Sequence, residues 1–162
     1  MSTYDVFYSF HFQPDVFRVQ QIRNMGVITG DEPVKANEWE TIKATPSGVE
    51  KWIDANMKGK DAVVVLIGAE TASRPWVKYE IKRAWETGKA VLGIYIHNLK
   101  NIDGKTTNVG NNPFSAFTFK LADGTVVVPH VFDPKASDAY NDIEANIQDW
   151  IAKARRQRGL KA

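Results

Sequence analysis

Two long apolar runs and the helical pattern between them predict an α/β fold. The runs "DAVVVLIG" (61–68) and "AVLGIYIHN" (90–98) contain almost no polar residues, which is typical of parallel strands covered by helices on both faces. Between them, "TASRPWVKYEIKRAWETGKA" (71–90) places apolar residues at helical spacing. We therefore predict a three-layer α/β sandwich with an open, mostly parallel central sheet.

The N-terminal elements follow the same alternation. "YDVFYSF" (4–10) is an aromatic-rich apolar run and predicts a buried first strand. Pro14 and Asp15 are expected to open a helix that ends at Gly26. Residues 24–45 are interpreted mainly as a long loop, with a short strand expected within "GVITG".

The remaining elements have clear start and stop signals. A helix is predicted from Thr45 and Pro46 to Gly59, and "FTFKLADGTVVVP" predicts two short strands around an Asp-Gly turn. A final helix is expected from about Ser137. Its apolar stripe comprises Ile143, Ile147, Trp150, Ile151 and Ala154. We predict one domain over residues 1–162, with a core at about 4–152 and a basic tail at 153–162.

Composition restricts the chemistry. The 162 residues include no cysteine, which excludes disulfides, thiolate metal sites and cysteine nucleophiles. The N-terminus lacks a signal-peptide pattern, and no run reaches the length of a membrane helix. We expect a soluble cytoplasmic protein with no membrane partner.

The basic residues cluster in the C-terminal segment "KARRQRGLKA". Cations in a last helical turn complement the helix dipole, and a frayed tail would follow them. A nucleic-acid patch is the alternative, but no aromatic residues interleave with these arginines. We therefore expect no nucleic-acid partner.

Several common catalytic arrangements are missing from the sequence. No G-x-G-x-x-G follows the first strand, and no G-x-S-x-G provides a serine nucleophile. "GKT" at 104–106 lacks the glycine of a phosphate loop, because Leu99 stands in its place. The three histidines have no metal-ligand spacing. We expect no metal and no bound cofactor. If the protein is an enzyme, its reaction should need little acid–base help.

Trp76 and Glu80 are the candidate functional pair. They are four positions apart in the predicted helix and would share one of its faces. The helix should begin at the carboxyl edge of the sheet, where ligands bind in such folds. The strand ends Ser9-Phe10-His11 and His97-Asn98 would lie at this edge. Spacing alone favours the interpretation of Glu80 as a surface residue paired with Lys82 or Arg83, and its position at the sheet edge makes it a functional candidate.

The same residues resemble those of a known family. "S-R-P-W-V-K-Y-E-I" (73–81) resembles the TIR-domain motif, in which a serine precedes a tryptophan and a glutamate follows four residues later. "DVFYSFH" (5–11) resembles the first strand of the same fold. Four further segments occur in the same order as in that family: "IRNMG", "W-I-D", "GKAVLGIYIHNLK" and "NPF". Over residues 4–152 the chain resembles the TIR-like proteins of the Thoeris anti-phage defence system.

The resemblance implies a flavodoxin-like fold and a reaction. The family cleaves NAD⁺ between nicotinamide and ribose, and its Thoeris branch makes a cyclic ADP-ribose isomer that activates a partner effector protein. By resemblance, Glu80 is the catalytic carboxylate and Trp76 an aromatic wall. Phe10 and His11 match the ligand-facing loop, and Asn37 and Trp39 are further substrate-binding candidates. For His11, a structural hydrogen-bonding role is equally well supported by the sequence.

This reaction does not need the catalytic arrangements that are missing from the sequence. Nicotinamide leaves NAD⁺ as a neutral molecule, so one anionic carboxylate can stabilise the oxocarbenium-like transition state without a general acid. NAD⁺ would be a substrate, and a homo-oligomer could complete the site. The alternative is a non-catalytic TIR-like module that binds proteins or a nucleotide.

Overall fold

The computed structural model describes residues 3–30 and 46–162. Four α-helices are present there: Phe12–Asn24 (α1), Pro46–Met57 (α2), Pro75–Glu86 (α3) and Ala139–Gln157 (α4). The strands are Asp5–Ser9 (β1), Thr29–Gly30 (β2), Ala62–Ile67 (β3), Ala90–Tyr95 (β4), Phe119–Lys120 (β5), Val126–Val127 (β6) and Val131–Phe132 (β7). Short 3₁₀ turns cover Thr71–Ser73 and Pro113–Ala116.

Within these residues the main sheet has the order β2-β1-β3-β4-β7, and all of its neighbouring strands are parallel. Strands β5 and β6 form a separate antiparallel hairpin around the expected Asp-Gly turn. The predicted α/β class with a parallel sheet is confirmed. None of the described helices is long and apolar enough to cross a membrane.

The apolar strands divide their side chains between two cores. Val64 and Leu66 of β3 face α1 and α4 on one side of the sheet. Val63 and Val65 face α2 and α3 on the other side. All six residues of β3 are buried, so the absence of polar residues in this run follows from coverage on both faces.

Two details differ from the sequence expectation. Helix α1 begins at Phe12, two residues before Pro14. Pro14 is tolerated inside the first turn because the N–H groups of that turn have no partner within the helix. Strand β7 pairs with Gly93 and Ile94 of β4 and was not predicted. Its two residues are too few to produce a periodic pattern.

Two arginines of the basic segment attach the end of α4 to the body of the domain. Arg155 donates to the Asp61 carbonyl at 2.6 Å. Arg158 donates to the carbonyls of Lys89 and Trp85, and its guanidinium lies 3.6 Å from the centre of the Trp85 ring. Leu160 packs against the core. Arg155, Arg158 and Leu160 of the basic segment are therefore packed against the domain.

We predict that Arg158→Ala lowers the free energy of unfolding by about 1–3 kcal/mol, because it removes a cation–π contact and two hydrogen bonds. Arg156→Ala is the matched control, since Arg156 is exposed on the same helical turn and should change stability by less than about 0.5 kcal/mol. Urea unfolding of both variants measures the difference. Equal stability of the two variants would contradict the role given to Arg158.

Candidate active site at the carboxyl edge of the sheet

Glu80 is a buried carboxylate that meets the end of β1. Only 7 % of the residue is exposed, although it carries a formal charge. The Ser9 hydroxyl, which is fully buried, donates to Glu80 Oε1 at 2.6 Å. The interpretation of Glu80 as a surface residue paired with Lys82 or Arg83 is therefore wrong.

The burial of Glu80 follows from its place on α3. Val77, Ile81 and Ala84 form the apolar stripe of this helix, and Glu80 lies within the stripe at i+3 from Val77. Proline at the first helical position and Gly88 after the last turn, with φ of +80°, fix the ends of the helix. The carboxylate is thus directed at the sheet.

Phe10 and His11 continue the chain directly from Ser9. Phe10 is half-buried against the α1–α4 side of the core, and its ring stacks on Phe12 with centroids 6.0 Å apart. The His11 carbonyl accepts the Asp15 N–H at 3.3 Å at the start of α1. The structure therefore brings Phe10, His11 and Glu80 to one edge, and their roles as ligand contacts stay predictions.

Trp76 lies one turn before Glu80 on α3 and is half-buried. Its ring meets Tyr79 edge to face, with centroids 5.7 Å apart. The Tyr79 hydroxyl donates to Asp54 Oδ1 on α2 at 3.1 Å. Burial, and then the Asp54 carboxylate, raises the pKa of Tyr79, so the phenol remains a donor at neutral pH. Trp76 therefore rests on a ring that is itself fixed in place.

A second buried carboxylate, Asp15, lies near this edge and was not predicted. Arg18 Nη1 donates to Asp15 Oδ1 at 2.9 Å, and both residues are almost fully buried. Burial raises the pKa of Asp15, and the Arg18 charge partly opposes that rise. The signal was present in the sequence, because both residues share the helix face of Val19 and Ile22.

Arg18 also holds the loop that follows β4. Its Nε donates to the Leu99 carbonyl at 2.8 Å, and its Nη2 donates to the Lys105 carbonyl at 3.0 Å. Gly68 packs so closely on Asp15 that an added Cβ would collide with the carboxyl group. Gly110 is equally close to the Gly68 carbonyl. The end of β3 is therefore covered tightly by α1 and this loop.

A cleft of about 400 Å³ lies at the opposite edge, between the ends of α2 and α3. Its lining includes Arg83, which pairs with Asp54 at 3.2 Å, and Lys89, which donates to the Lys60 carbonyl at 3.2 Å. Both cations thus lie near the C-terminal ends of α2 and α3, where the helix dipole favours positive charge. The cleft is therefore on the same face of the sheet as Glu80 but at the opposite edge.

The predicted binding residues Asn37 and Trp39 lie outside the described residues. Within residues 3–30 and 46–162, no three His, Cys, Asp or Glu side chains come together in a metal-binding arrangement.

We predict that Arg18→Met destabilises the fold by about 3–5 kcal/mol at neutral pH, because it leaves the Asp15 carboxylate buried without its cation. Loss of Arg18 should raise the pKa of Asp15 further in the folded state only. The folded variant then gains stability as the pH falls through that raised pKa toward the ordinary value of 3.8. Denaturant unfolding at pH 7 and at about pH 4.5 should show a smaller difference from wild type at the lower pH.

The control for this pH dependence is the double variant Asp15→Asn/Arg18→Met, which has no carboxyl group to titrate at position 15. Its stability relative to wild type should lack the gain that the single variant shows at low pH. A single variant that is equally destabilised at both pH values would contradict the assignment to Asp15.

Comparison with known proteins identifies the family. The family model described as "Thoeris protein ThsB, TIR-like domain" matches residues 7–101, which include Ser9, Phe10, His11, Trp76 and Glu80. A Bacillus cereus (strain MSX-D12) protein named "Putative cyclic ADP-D-ribose synthase ThsB1" is 35 % identical over 123 residues. The match covers 72 % of this chain and 64 % of that relative, so the chain spans a little under two thirds of the relative's length. The chain belongs to the family of TIR-like domains of the Thoeris protein ThsB.

Proposed function

We propose that this domain cleaves NAD⁺ at the bond between nicotinamide and ribose and closes the ADP-ribose product into a cyclic isomer. The observation that carries the proposal is the buried Glu80 carboxylate, held by Ser9 at the carboxyl edge of the sheet. Membership of the ThsB family and the name of the Bacillus relative support the same chemistry.

The bond changes require little from the protein beyond one carboxylate. The bond from ribose C1′ to nicotinamide breaks, its electron pair goes to the nicotinamide nitrogen, and nicotinamide leaves neutral. Positive charge develops on the ribose, and an ionised carboxylate nearby stabilises it. A ribose hydroxyl oxygen or an adenine nitrogen of the same ADP-ribose then bonds to C1′, and the proton that this group loses goes to solvent. Water in that position would give linear ADP-ribose instead.

The low exposure of Glu80 strengthens this effect. A charge acts more strongly on a neighbouring charge where water is excluded. Trp76 offers an aromatic face one helical turn away, on which nicotinamide or adenine could stack. Holding adenine near C1′ would favour ring closure over hydrolysis through proximity.

The family also supports a cellular setting for this reaction. We propose that the cyclic product is a messenger read by a separate effector protein in anti-phage defence. The reaction would take place in the cytoplasm, where NAD⁺ is available, and several copies of the chain would assemble in the active state. Light scattering with and without NAD⁺ tests the assembly.

The direct test is incubation of purified protein with NAD⁺, followed by mass spectrometry of nicotinamide, linear ADP-ribose and cyclic isomers. Nicotinamide release together with a cyclic product supports the proposal. Release of none of these, by purified protein and by protein from phage-infected cells, would favour the alternative of a non-catalytic binding module.

We predict that Glu80→Gln lowers NAD⁺ turnover by at least about 100-fold, since it removes the charge that stabilises the transition state. Glu86→Gln is the matched control, because Glu86 is on the same helix but exposed, with Lys82 and Arg83 only 3.9 and 4.0 Å away. Nicotinamide release by both variants is the measurement. Retained turnover in Glu80→Gln would disprove the catalytic assignment.

A separate prediction concerns Trp76. Trp76→Ala should lower turnover and increase the ratio of linear to cyclic product, because adenine would lose its stacking surface. Trp76→Phe keeps an aromatic face and should lie closer to wild type in that ratio. Chromatography of the two products measures it, and identical ratios in all three proteins would rule out a role in ring closure.

A further inference from the structure

Ser9 has no access to water, so its hydroxyl proton must be donated inside the protein. The residue is 0 % exposed, and its Oγ donates to Glu80 Oε1. Buried polar groups are almost always hydrogen-bonded, because an unmade bond there is costly. Ser9 and Glu80 therefore fix one another across 71 residues of sequence.

The Ser9 hydroxyl is placed to stabilise a charge on its acceptor. The oxygen atoms are 2.6 Å apart, which is within the range of hydroxyl hydrogen bonds to oxygen. A hydroxyl that donates to an ionised carboxylate stabilises the charged form. Ser9 can therefore oppose the effect of burial on the Glu80 carboxylate.

We propose that Ser9 is the positioning residue of the reaction, which holds the Glu80 carboxylate ionised and correctly oriented toward the ribose. This inference rests on the proposed NAD⁺ chemistry. It assigns Ser9 no contact with the substrate. An ionised carboxylate has about four acceptor positions, and the bond from Ser9 occupies only one of them.

The rigid place of Ser9 makes it suitable for this task. It is the last residue of β1, and it is in register with Val65 of β3 in the interior of the sheet. A glutamate side chain has three rotatable bonds, and a catalytic group that is misplaced by about 1 Å can lose 100-fold in rate. The sheet therefore supplies a fixed reference for an otherwise flexible carboxylate.

The kinetic test compares wild type with Ser9→Ala. We expect kcat to fall by about 10- to 100-fold, with KM changed by less than about threefold, because the substrate contacts remain. The acidic limb of the kcat–pH profile should move to higher pH, since the ionised carboxylate has lost a donor. A rise in KM with unchanged kcat would overturn the proposal.

Two further variants separate positioning from packing. Ser9→Thr restores a hydroxyl and should recover most of the kcat, whereas Ser9→Cys keeps the size but donates weakly and should fall between Ser9→Ala and wild type. Ser137→Ala is the control, since Ser137 is an exposed serine in the turn before α4, and it should match wild type. Equal activity of the alanine, cysteine and threonine variants at position 9 would overturn the proposal.

A readout that needs no turnover distinguishes this inference from the proposed function. Carbon-detected NMR of the Glu80 carboxyl group gives its titration in wild type and in Ser9→Ala. Titration at higher pH in the variant supports positioning by Ser9, and an identical titration overturns it, whether or not NAD⁺ is consumed. Absence of NAD⁺ turnover in wild type would contradict only the proposed reaction.

Discussion

The burial of a charged carboxylate at the edge of the sheet is the constraint on which the candidate site depends. Glu80 stands in the apolar stripe of α3, where an unpaired charge would be strongly unfavourable. The Ser9 hydroxyl donates a hydrogen bond to Glu80 Oε1 at 2.6 Å, which helps to stabilise the buried carboxylate. This pairing requires the last residue of β1 to meet the second turn of α3. The order β2-β1-β3-β4-β7 allows it, because parallel strands end at a common edge.

Two carboxylates near this edge are stabilised in different ways. Glu80 accepts a hydrogen bond from the neutral Ser9 hydroxyl. Asp15 is paired with Arg18, whose other donors hold carbonyls of the loop after β4. A carboxylate that is paired with a guanidinium is poorly suited to stabilise a second cation, so we assign Asp15 a structural role. Gly68 permits this arrangement by leaving room for the Asp15 carboxyl group.

The sequence predicted the elements whose patterns are long and local. The solid apolar runs of β3 and β4 and the capped helix α3 gave the layers of the fold and the place of Glu80. Strand β7 was missed because its two residues form no pattern. The pairing of Ser9 with Glu80 joins residues 71 apart, which no local rule reveals. Asp15 and Arg18 were overlooked although they share an apolar helix face. The roles of Phe10, His11 and Trp76 remain predictions, as do Asn37 and Trp39, which are outside the described residues.

We propose that the Glu80 carboxylate faces the nicotinamide ribose of bound NAD⁺. A crystal structure with an NAD⁺ analogue whose ribose is replaced by a carbocycle, and which resists cleavage, tests it most directly. We expect a Glu80 carboxylate oxygen within about 3.2 Å of a hydroxyl on that ring, with the Ser9 bond to Oε1 retained. An analogue bound at the opposite edge of the sheet, or bound without contact to Glu80, would contradict it.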